Sequence, residues 1–345
     1  TSRCTPAAVE PSTRTPRYEP PAADLAGSTA MSGADDLAVL LSNRLDGAAI
    51  TELTRLSGGA SRETWRFRAD GVPRVVQRQR AGDERDMLIE AAVVAAAGRA
   101  GVPAPELVLA DETADGTAYM VLEAIDGETI ARKLQRDDEF THARAVLTPQ
   151  LGAALAAVHS MEPVPGLEPV DPIAFYTDVL DSLVAAGTGS PQPMLELVRR
   201  WLIEHRPPPA PPVVVHGDFR LGNLIVGPDG LRAVIDWELA HLGDPMEDLG
   251  WLCVKAWRFG QPKPVGGLGD YAELFDAYTA AGGGPVDADV VRWWEVLGTW
   301  KWAVMCVLQA SVHLSGAARS HELAAIGRRV CENEHDLFLA LEGRW

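Results

Sequence analysis

Residues 213–238 read Val-Val-Val-His-Gly-Asp-Phe-Arg-Leu-Gly-Asn-Leu-Ile-Val-Gly-Pro-Asp-Gly-Leu-Arg-Ala-Val-Ile-Asp-Trp-Glu. The β-branched run at 213–215 predicts a strand that delivers His216-Gly217-Asp218. Asn223 follows five positions after Asp218. A second apolar run, Ala233-Val234-Ile235, presents Asp236. Two strands with a tight loop between them bring Asp218, Asn223 and Asp236 to one edge. Two carboxylates and an amide converging there can hold Mg²⁺ and orient a hydroxyl for attack on a phosphate. A lone Asp-x-x-x-x-Asn is common, and a polar loop between strands is usually only a loop. The combination is far less common, because each polar group sits at the end of its own apolar run.

The spacing matches the catalytic Asp, the metal-binding Asn and the later metal-binding Asp of kinase-type phosphotransferases. The stretch resembles the aminoglycoside phosphotransferase and choline kinase-like family, through His216-Gly217-Asp218, Asn223 and Ile235-Asp236-Trp237-Glu238. Leu242-Gly243-Asp244-Pro245 and Asp248-Leu249 extend the likeness. Within that family the wording is closest to phosphotransferases related to the amino-terminal kinase-like part of certain acyl-CoA dehydrogenases. The resemblance runs from about residue 50 to the end and is strongest over 213–252. It implies an α+β, two-lobed protein-kinase-like fold, with a small antiparallel-sheet N-lobe and a larger, mainly helical C-lobe. It also implies ATP and Mg²⁺ as cofactors and a small-molecule hydroxyl as acceptor. Asp218 is then the base that orients this hydroxyl, and Asn223 and Asp236 are the Mg²⁺ ligands. His216 reads as a buttress of the loop, and Arg220 as a phosphate contact or the partner of a nearby acid. Asp244-Pro245 reads as a helix start, and Asp248 as a brace for the loop.

Composition bounds the alternatives. The chain has 345 residues, 47% hydrophobic and 23% charged, which is ordinary for a globular enzyme. No run is long and apolar enough to span a membrane. Residues 1–34 lack an apolar core segment, so no signal peptide is expected there, and a cytoplasmic location is expected. Rich in Pro, Thr, Ser and Ala, they read as an extended or disordered arm. Cys4, Cys253, Cys306 and Cys331 are scattered, as expected of reduced thiols. A formal net charge of −17 argues against a nucleic-acid-binding surface.

Outward from the quoted stretch, hydrophobic patterning divides the chain. Residues 36–45 predict a short helix, followed by strands near 53–56, 64–67, 74–77, 106–110 and 118–122. A helix is expected over 83–99, starting at Asp83. Beyond Glu123 the pattern is mostly helical, with helices over 143–159, 174–186, 193–205, 246–257, 270–281, 288–314 and 320–342. The expected organisation is an arm at 1–34, an N-lobe at 35–122, a hinge at 123–127 and a helical C-lobe at 128–345.

On the nucleotide side, Gly58-Gly59-Ala60-Ser61 lies between two strands, where backbone N–H groups can approach phosphates closely. By resemblance, Gly58, Gly59 and Ser61 cover the ATP phosphates. The resemblance also makes Glu90 the helix carboxylate that pairs with a strand Lys. Its plain alternative is a solvated helix Glu. This chain departs from the pattern, because Val75-Val76-Gln77-Arg78-Gln79-Arg80 contains no Lys. Gln77 and Arg78 fall on opposite faces of the strand, so only one enters the cleft. Arg78 is the expected phosphate-side cation. Tyr119 to Ile125 looks like the hinge that meets adenine, through backbone groups of Glu123 and Ile125.

On the acceptor side, Trp293, Trp294, Trp300 and Trp302 share one predicted helix, and Trp251 and Trp257 lie on another. Such stripes are usually core, though some of them would suit a greasy acyl acceptor. An aminoglycoside would need carboxylates instead, for which Asp270, Glu273 and Glu295 are candidates. Asp244-Pro245 follows Asp236 too closely to leave room for a long phosphorylation-controlled loop, which favours a small-molecule kinase. The rival reading is a non-catalytic nucleotide-binding pseudokinase module, supported by the missing strand Lys and opposed by the intact Asp218, Asn223 and Asp236.

Overall fold

The computed structural model describes residues 33–56, 62–80 and 85–344. The arm and the Gly58-Gly59-Ala60-Ser61 loop therefore lie outside the described residues. The N-terminal region comprises α1 (Ala34–Arg44), β1 (Ile50–Arg55), β2 (Arg62–Ala69), β3 (Val72–Gln79), α2 (Met87–Arg99), β4 (Leu107–Glu112) and β5 (Ala118–Glu123). The five strands form one antiparallel sheet in the order β1-β2-β3-β5-β4.

Strand alternation gives this sheet two distinct faces. Phe67 of β2, Val76 of β3 and Tyr119 and Val121 of β5 pack under Leu37 and Leu41 of α1. The opposite face looks toward the C-terminal region. Register pairs Thr64 with Gln77 and Glu63 with Arg78. Because Val76 is fully buried under α1, Arg78 two positions on must lie on that same outer face, and Gln77 on the inner one.

Helix α2 begins at Met87, later than the expected Asp83. Asp86 sets this start, its Oδ1 accepting from the N–H of Leu88 at 2.9 Å and of Ile89 at 3.2 Å. Such a cap contributes about 1 kcal/mol.

The C-terminal region holds α3 (Ala131–Arg136), α4 (Thr141–His159), α5 (Pro172–Ala185) and α6 (Pro193–Glu204). Four short strands follow: β6 (Val213–Val215), β7 (Leu224–Gly227), β8 (Gly230–Val234) and β9 (His241–Gly243). The chain then forms α7 (Met246–Cys253), α8 (Tyr271–Ala280), α9 (Ala288–Leu314), α10 (His321–Gly327) and α11 (Val330–Leu341). Strand β6 pairs with β9, and β7 with β8, all antiparallel. The expected helix over 246–257 stops at Cys253 and continues as a separate 3-10 turn, Lys255–Arg258, which Phe259 closes at φ +50°. The expected helix over 320–342 is two helices. Ser320 caps α10, which packs so tightly on α9 that a Cβ at Gly327 would lie 2.6 Å from the Ala310 Cβ.

The 27-residue α9 is the axis of this region. Its Trp293 and Trp300 indoles donate to the Leu202 and Leu195 carbonyls of α6, at 3.2 and 2.9 Å. These two tryptophans are satisfied core residues. The main core is continuous with the inner side of the N-terminal region, since Met87, Ala91 and Val94 of α2 and Met120 and Leu122 of β5 belong to it. The Val234 N–H donates to the Pro103 carbonyl at 2.7 Å, tying β8 to the α2–β4 connection. A shared core and this hydrogen bond fix the position of one region against the other. Among the described residues, no helix is long and apolar enough to cross a membrane.

Candidate active site

Strand β6 is largely buried and leads directly into His216, which is fully enclosed. The chain then turns at Gly217, whose φ of +78° and close approach to the Leu239 carbonyl leave no room for a side chain. Asp218 follows, partly open to solvent. The β7–β8 hairpin returns the chain, and the Ile235 N–H donates to the Asn223 carbonyl at 3.0 Å. That bond closes the strand–loop–strand unit and places Asp236 beside Asn223. Asp236 itself has φ +68°, a conformation costly for a non-glycine residue and often found at functional sites.

Three groups hold the Asp218 carboxylate. Oδ1 accepts from Trp251 Nε1 at 2.7 Å and from Arg220 Nε at 3.1 Å, and Oδ2 accepts from Asn223 Nδ2 at 2.6 Å. The Arg220 guanidinium also stacks over Trp257, 4.9 Å from the ring centre.

Behind the loop lies a fully buried brace. Asp248 accepts from the backbone N–H of His216 at 2.7 Å and of Gly217 at 2.9 Å, and contacts His159 Nε2 at 3.2 Å. Burial pushes the Asp248 carboxyl up, but His159 and His216 outweigh this and hold it below the ordinary range. The Lys301 ammonium donates to the Gly217 carbonyl at 2.9 Å from the other side. His216 Nδ1 accepts from the Asp218 N–H at 3.2 Å while Nε2 meets the Ile235 carbonyl at 3.1 Å, which assigns the proton to Nε2. Burial lowers the His216 pKa, so the ring is neutral. It is a buttress, as the sequence suggested. Asp244 also behaves as expected of a helix start, its Oδ1 accepting from Met246 N–H at 2.9 Å.

One cleft joins this centre to the sheet. Its walls include Gln77, Glu90, Glu123, Ile125, Ile235 and Asp236. The Glu123 N–H is taken by the Glu106 carbonyl at 2.9 Å. The expectation that Arg78 faces this cleft is not met. Arg78 lies on the outer face, across the strand pair from Glu63, with Nη1 4.0 Å from a Glu63 carboxylate oxygen. Gln77 occupies the inner position.

The partner of Glu90 is instead Arg62, at the start of β2. Arg62 Nη2 bonds Glu90 Oε2, and both side chains are buried. Glu238 stands 3.5 Å from Arg62 Nε and binds Arg85 at 2.7 Å. Burial works against the Arg62 cation, yet Glu90, Glu238 and Asp236 keep its pKa above the ordinary value. Asp236 moves the other way for a carboxyl. Burial first, then Glu238, Asp218 and Glu90, push it up to about 7.

Sequence patterning alone does not mark Arg62, Lys301 or His159, and it points to Trp251 as core or cleft lining. Strand alternation from Phe67 back to Arg62 was the available signal for the first. Nothing in the sequence marks Lys301, one of several charged residues on α9, as a partner of the loop. Of the carboxylates considered for a cationic acceptor, Glu295 is fully buried against Arg258, Arg292 and Tyr271, and Asp270 faces Lys263 at 3.4 Å.

Residues 52–294 match the phosphotransferase enzyme family, APH, and the chain belongs to that family. Mouse (Mus musculus) acyl-CoA dehydrogenase family member 10 is 28% identical over 216 residues, which are 59% of this chain and 20% of that protein. The chain thus spans about a fifth of the length of that relative. A choline/ethanolamine kinase family protein from Mesorhizobium loti superposes with a TM-score of 0.63 at 22% identity, covering 89% of this chain and 94% of that one. A thermostable mutant of aminoglycoside phosphotransferase APH(4)-Ia, in ternary complex with ADP and hygromycin B, superposes at 0.58 with 18% identity, covering 87% and 98%. At these identities the two structures show the shared kinase-like fold.

Proposed function

We propose that the chain is an ATP- and Mg²⁺-dependent kinase that phosphorylates a hydroxyl of a small molecule. The observation that carries this reading is that hydrogen bonds tie Asp218 to Asn223 and Asn223 to Ile235, next to Asp236, which lines the cleft that Glu123 and Ile125 border. In this reading the Glu123 carbonyl and the Ile125 N–H meet the base. Asp218, held in one orientation by Trp251, Arg220 and Asn223, accepts a hydrogen bond from the acceptor hydroxyl and aligns it with the phosphate.

The residues present fit Mg²⁺. Asp236 is a carboxylate beside Glu90, Glu238 and Asp218, and burial first, then this surplus of negative charge, raises its pKa. Asn223 spends its Nδ2 on Asp218, leaving the amide oxygen for a cation. Among the described residues, no three His, Cys, Asp or Glu side chains form a metal site by themselves. Mg²⁺ needs none, since it is commonly held by one or two carboxylates together with substrate phosphates. When bound there it would neutralise charge on the transferring phosphoryl group.

The surroundings of Asp218 favour a neutral or anionic acceptor over a polycation. Arg220 bonds its Oδ1 and Lys301 bonds the adjoining Gly217 carbonyl, while Trp251, Trp257 and Trp302 form a cluster of edge-to-face and tilted rings next to Arg220. The Trp257 and Trp302 indole N–H groups have no hydrogen-bond partner among the described residues. A hydroxyacyl compound, including a hydroxyacyl-CoA, suits this chemistry better than an aminoglycoside. The pseudokinase alternative draws on Gln77 standing where a strand Lys is usual.

The test is Mg²⁺-dependent ATP turnover by the purified protein against aminoglycosides, macrolides, choline-like alcohols and hydroxyacyl-CoAs, with Asp218→Ala as control. Turnover with one class, lost in the control, supports the reading. Mg·ATP binding with no turnover against any class would favour the pseudokinase.

A further inference from the structure

Glu90 lies deep in the cleft and is paired, but not with any residue of β3. Its partner, Arg62, is 5% exposed and comes from the first position of β2, directly after the Gly-Gly-Ala-Ser stretch in the chain. Arg62 shares the inner face of the sheet with Thr64 and Arg66, both of which line the cleft. Its guanidinium faces Glu90 through Nη2 and stands 3.5 Å from Glu238 through Nε, which leaves Nη1 without an ion-pair partner among the described residues. Both Nε and Nη1 are buried and make no hydrogen bond among the described residues. A buried donor left without an acceptor is unfavourable. Glu90, Glu238 and Asp236 all act on the Arg62 charge, and Glu90 and Asp236 line the cleft.

We propose that Arg62 is the cation that holds the phosphate chain of the nucleotide, a relocated substitute for the strand lysine that β3 lacks. This rests on the nucleotide-binding reading above. An arginine can fill both roles at once because its planar fork carries five N–H donors. Nη2 keeps Glu90 and hence α2 in place, Nε faces Glu238, and Nη1 remains for a phosphate oxygen. A lysine reaching in from β3 would serve from the neighbouring strand. Gln77 occupies that position, and its neutral amide avoids a second cation against Arg62. The exchange of charge between strands explains how a kinase-like cleft works with Gln77 on its wall. It also removes the main sequence argument for a pseudokinase.

The test compares binding of Mg·ADP and of adenosine, by isothermal titration, to the wild-type chain, Arg62→Gln and Arg62→Lys. Circular dichroism and thermal melting check that each variant is folded. Arg62→Gln should weaken Mg·ADP about tenfold or more and leave adenosine within about twofold, whereas Arg62→Lys should keep most of the ADP affinity. If Arg62→Gln does not fold, Arg62→Gln with Gln77→Lys places the charge on β3 next to Glu90. That double variant should fold and bind Mg·ADP. Unchanged ADP affinity in folded Arg62→Gln, or equal losses for ADP and adenosine, would overturn the proposal and leave Arg62 a structural clamp. So would a folded double variant with no phosphate-dependent gain over adenosine. Failure of the wild-type chain to bind Mg·ADP at all would overturn the nucleotide reading and this proposal together.

Discussion

The indole of Trp251, on α7, donates its only hydrogen bond to Asp218 Oδ1 at 2.7 Å. A ring expected to be core or cleft lining thus fixes the orientation of the proposed catalytic carboxylate. A hydrogen bond to a charged group contributes roughly 1.5–3 kcal/mol. Trp251→Phe retains a packed ring but loses this donor. Turnover number should fall about 10- to 100-fold, with nucleotide affinity unchanged. Steady-state kinetics against the identified acceptor, together with ADP titration, will read both, and an unaltered turnover number would count against a positioning role.

Lys301 connects α9 to the same loop. The residue is 4% exposed, and its ammonium bonds the Gly217 carbonyl, lies 3.5 Å from Glu247 and sits 4.5 Å over the Trp251 ring centre. Burial opposes the charge, but Tyr176, Glu247, Asp218 and Asp248 keep its pKa above the ordinary lysine value. Lys301→Met removes the cation and leaves Glu247 buried beside His241 alone. Breaking such a pair costs about 3–5 kcal/mol, which urea denaturation will register as a lower midpoint. A change below about 1 kcal/mol would mean that the pair contributes little.

Asp236 makes the apo site unstable in a pH-dependent way. Its carboxyl titrates near 7 in the folded chain and at about 3.9 when unfolded. Between these values the unfolded form is ionised while the folded form holds its proton, so stability falls as pH rises and the full penalty is present above pH about 7. Asp236→Asn removes that penalty. At pH about 8 the variant should be more stable than wild type by roughly 1–3 kcal/mol, with the gap closing toward pH about 4. Melting curves across this range, without metal, will show it; a gap that widens at low pH would reverse the assignment. The same variant should lose Mg²⁺-dependent nucleotide affinity, separating the stability of the site from its function.

Asp248→Asn tests the brace. It keeps the shape but weakens the acceptor of two backbone N–H bonds and the contact with His159. About 2 kcal/mol of stability should be lost, and turnover should fall with it because Gly217 and Asp218 are less firmly held. Chemical denaturation measures the first and kinetics the second. Full stability in the variant would show that the two N–H groups find another acceptor.

Much of this protein was legible in order of sequence. The Asp218–Asn223–Asp236 unit is read from residues 213–238 because it is local: two short apolar runs, one turn and a hairpin fix it. The five strands and most of the helices follow from alternation and periodicity for the same reason. The breaks at Cys253 and near Arg328 were not legible, since packing of the turn and of α10 on α9 sets them.

The sequence by itself determined the fold family and which carboxylates and amide meet at the proposed catalytic centre. Only the tertiary structure decided which cation serves Glu90. Burial of Val76 beneath α1 sets the faces of β3, turning Arg78 outward and Gln77 inward, while the β2–β3 register carries Arg62 to the inner face. Likewise, only packing brings Trp251 and Lys301 to the loop, from 33 positions beyond Asp218 and 84 beyond Gly217. Short-range patterns encode what a strand or loop presents. Partners drawn from distant helices depend on how those helices dock, which no local spacing records.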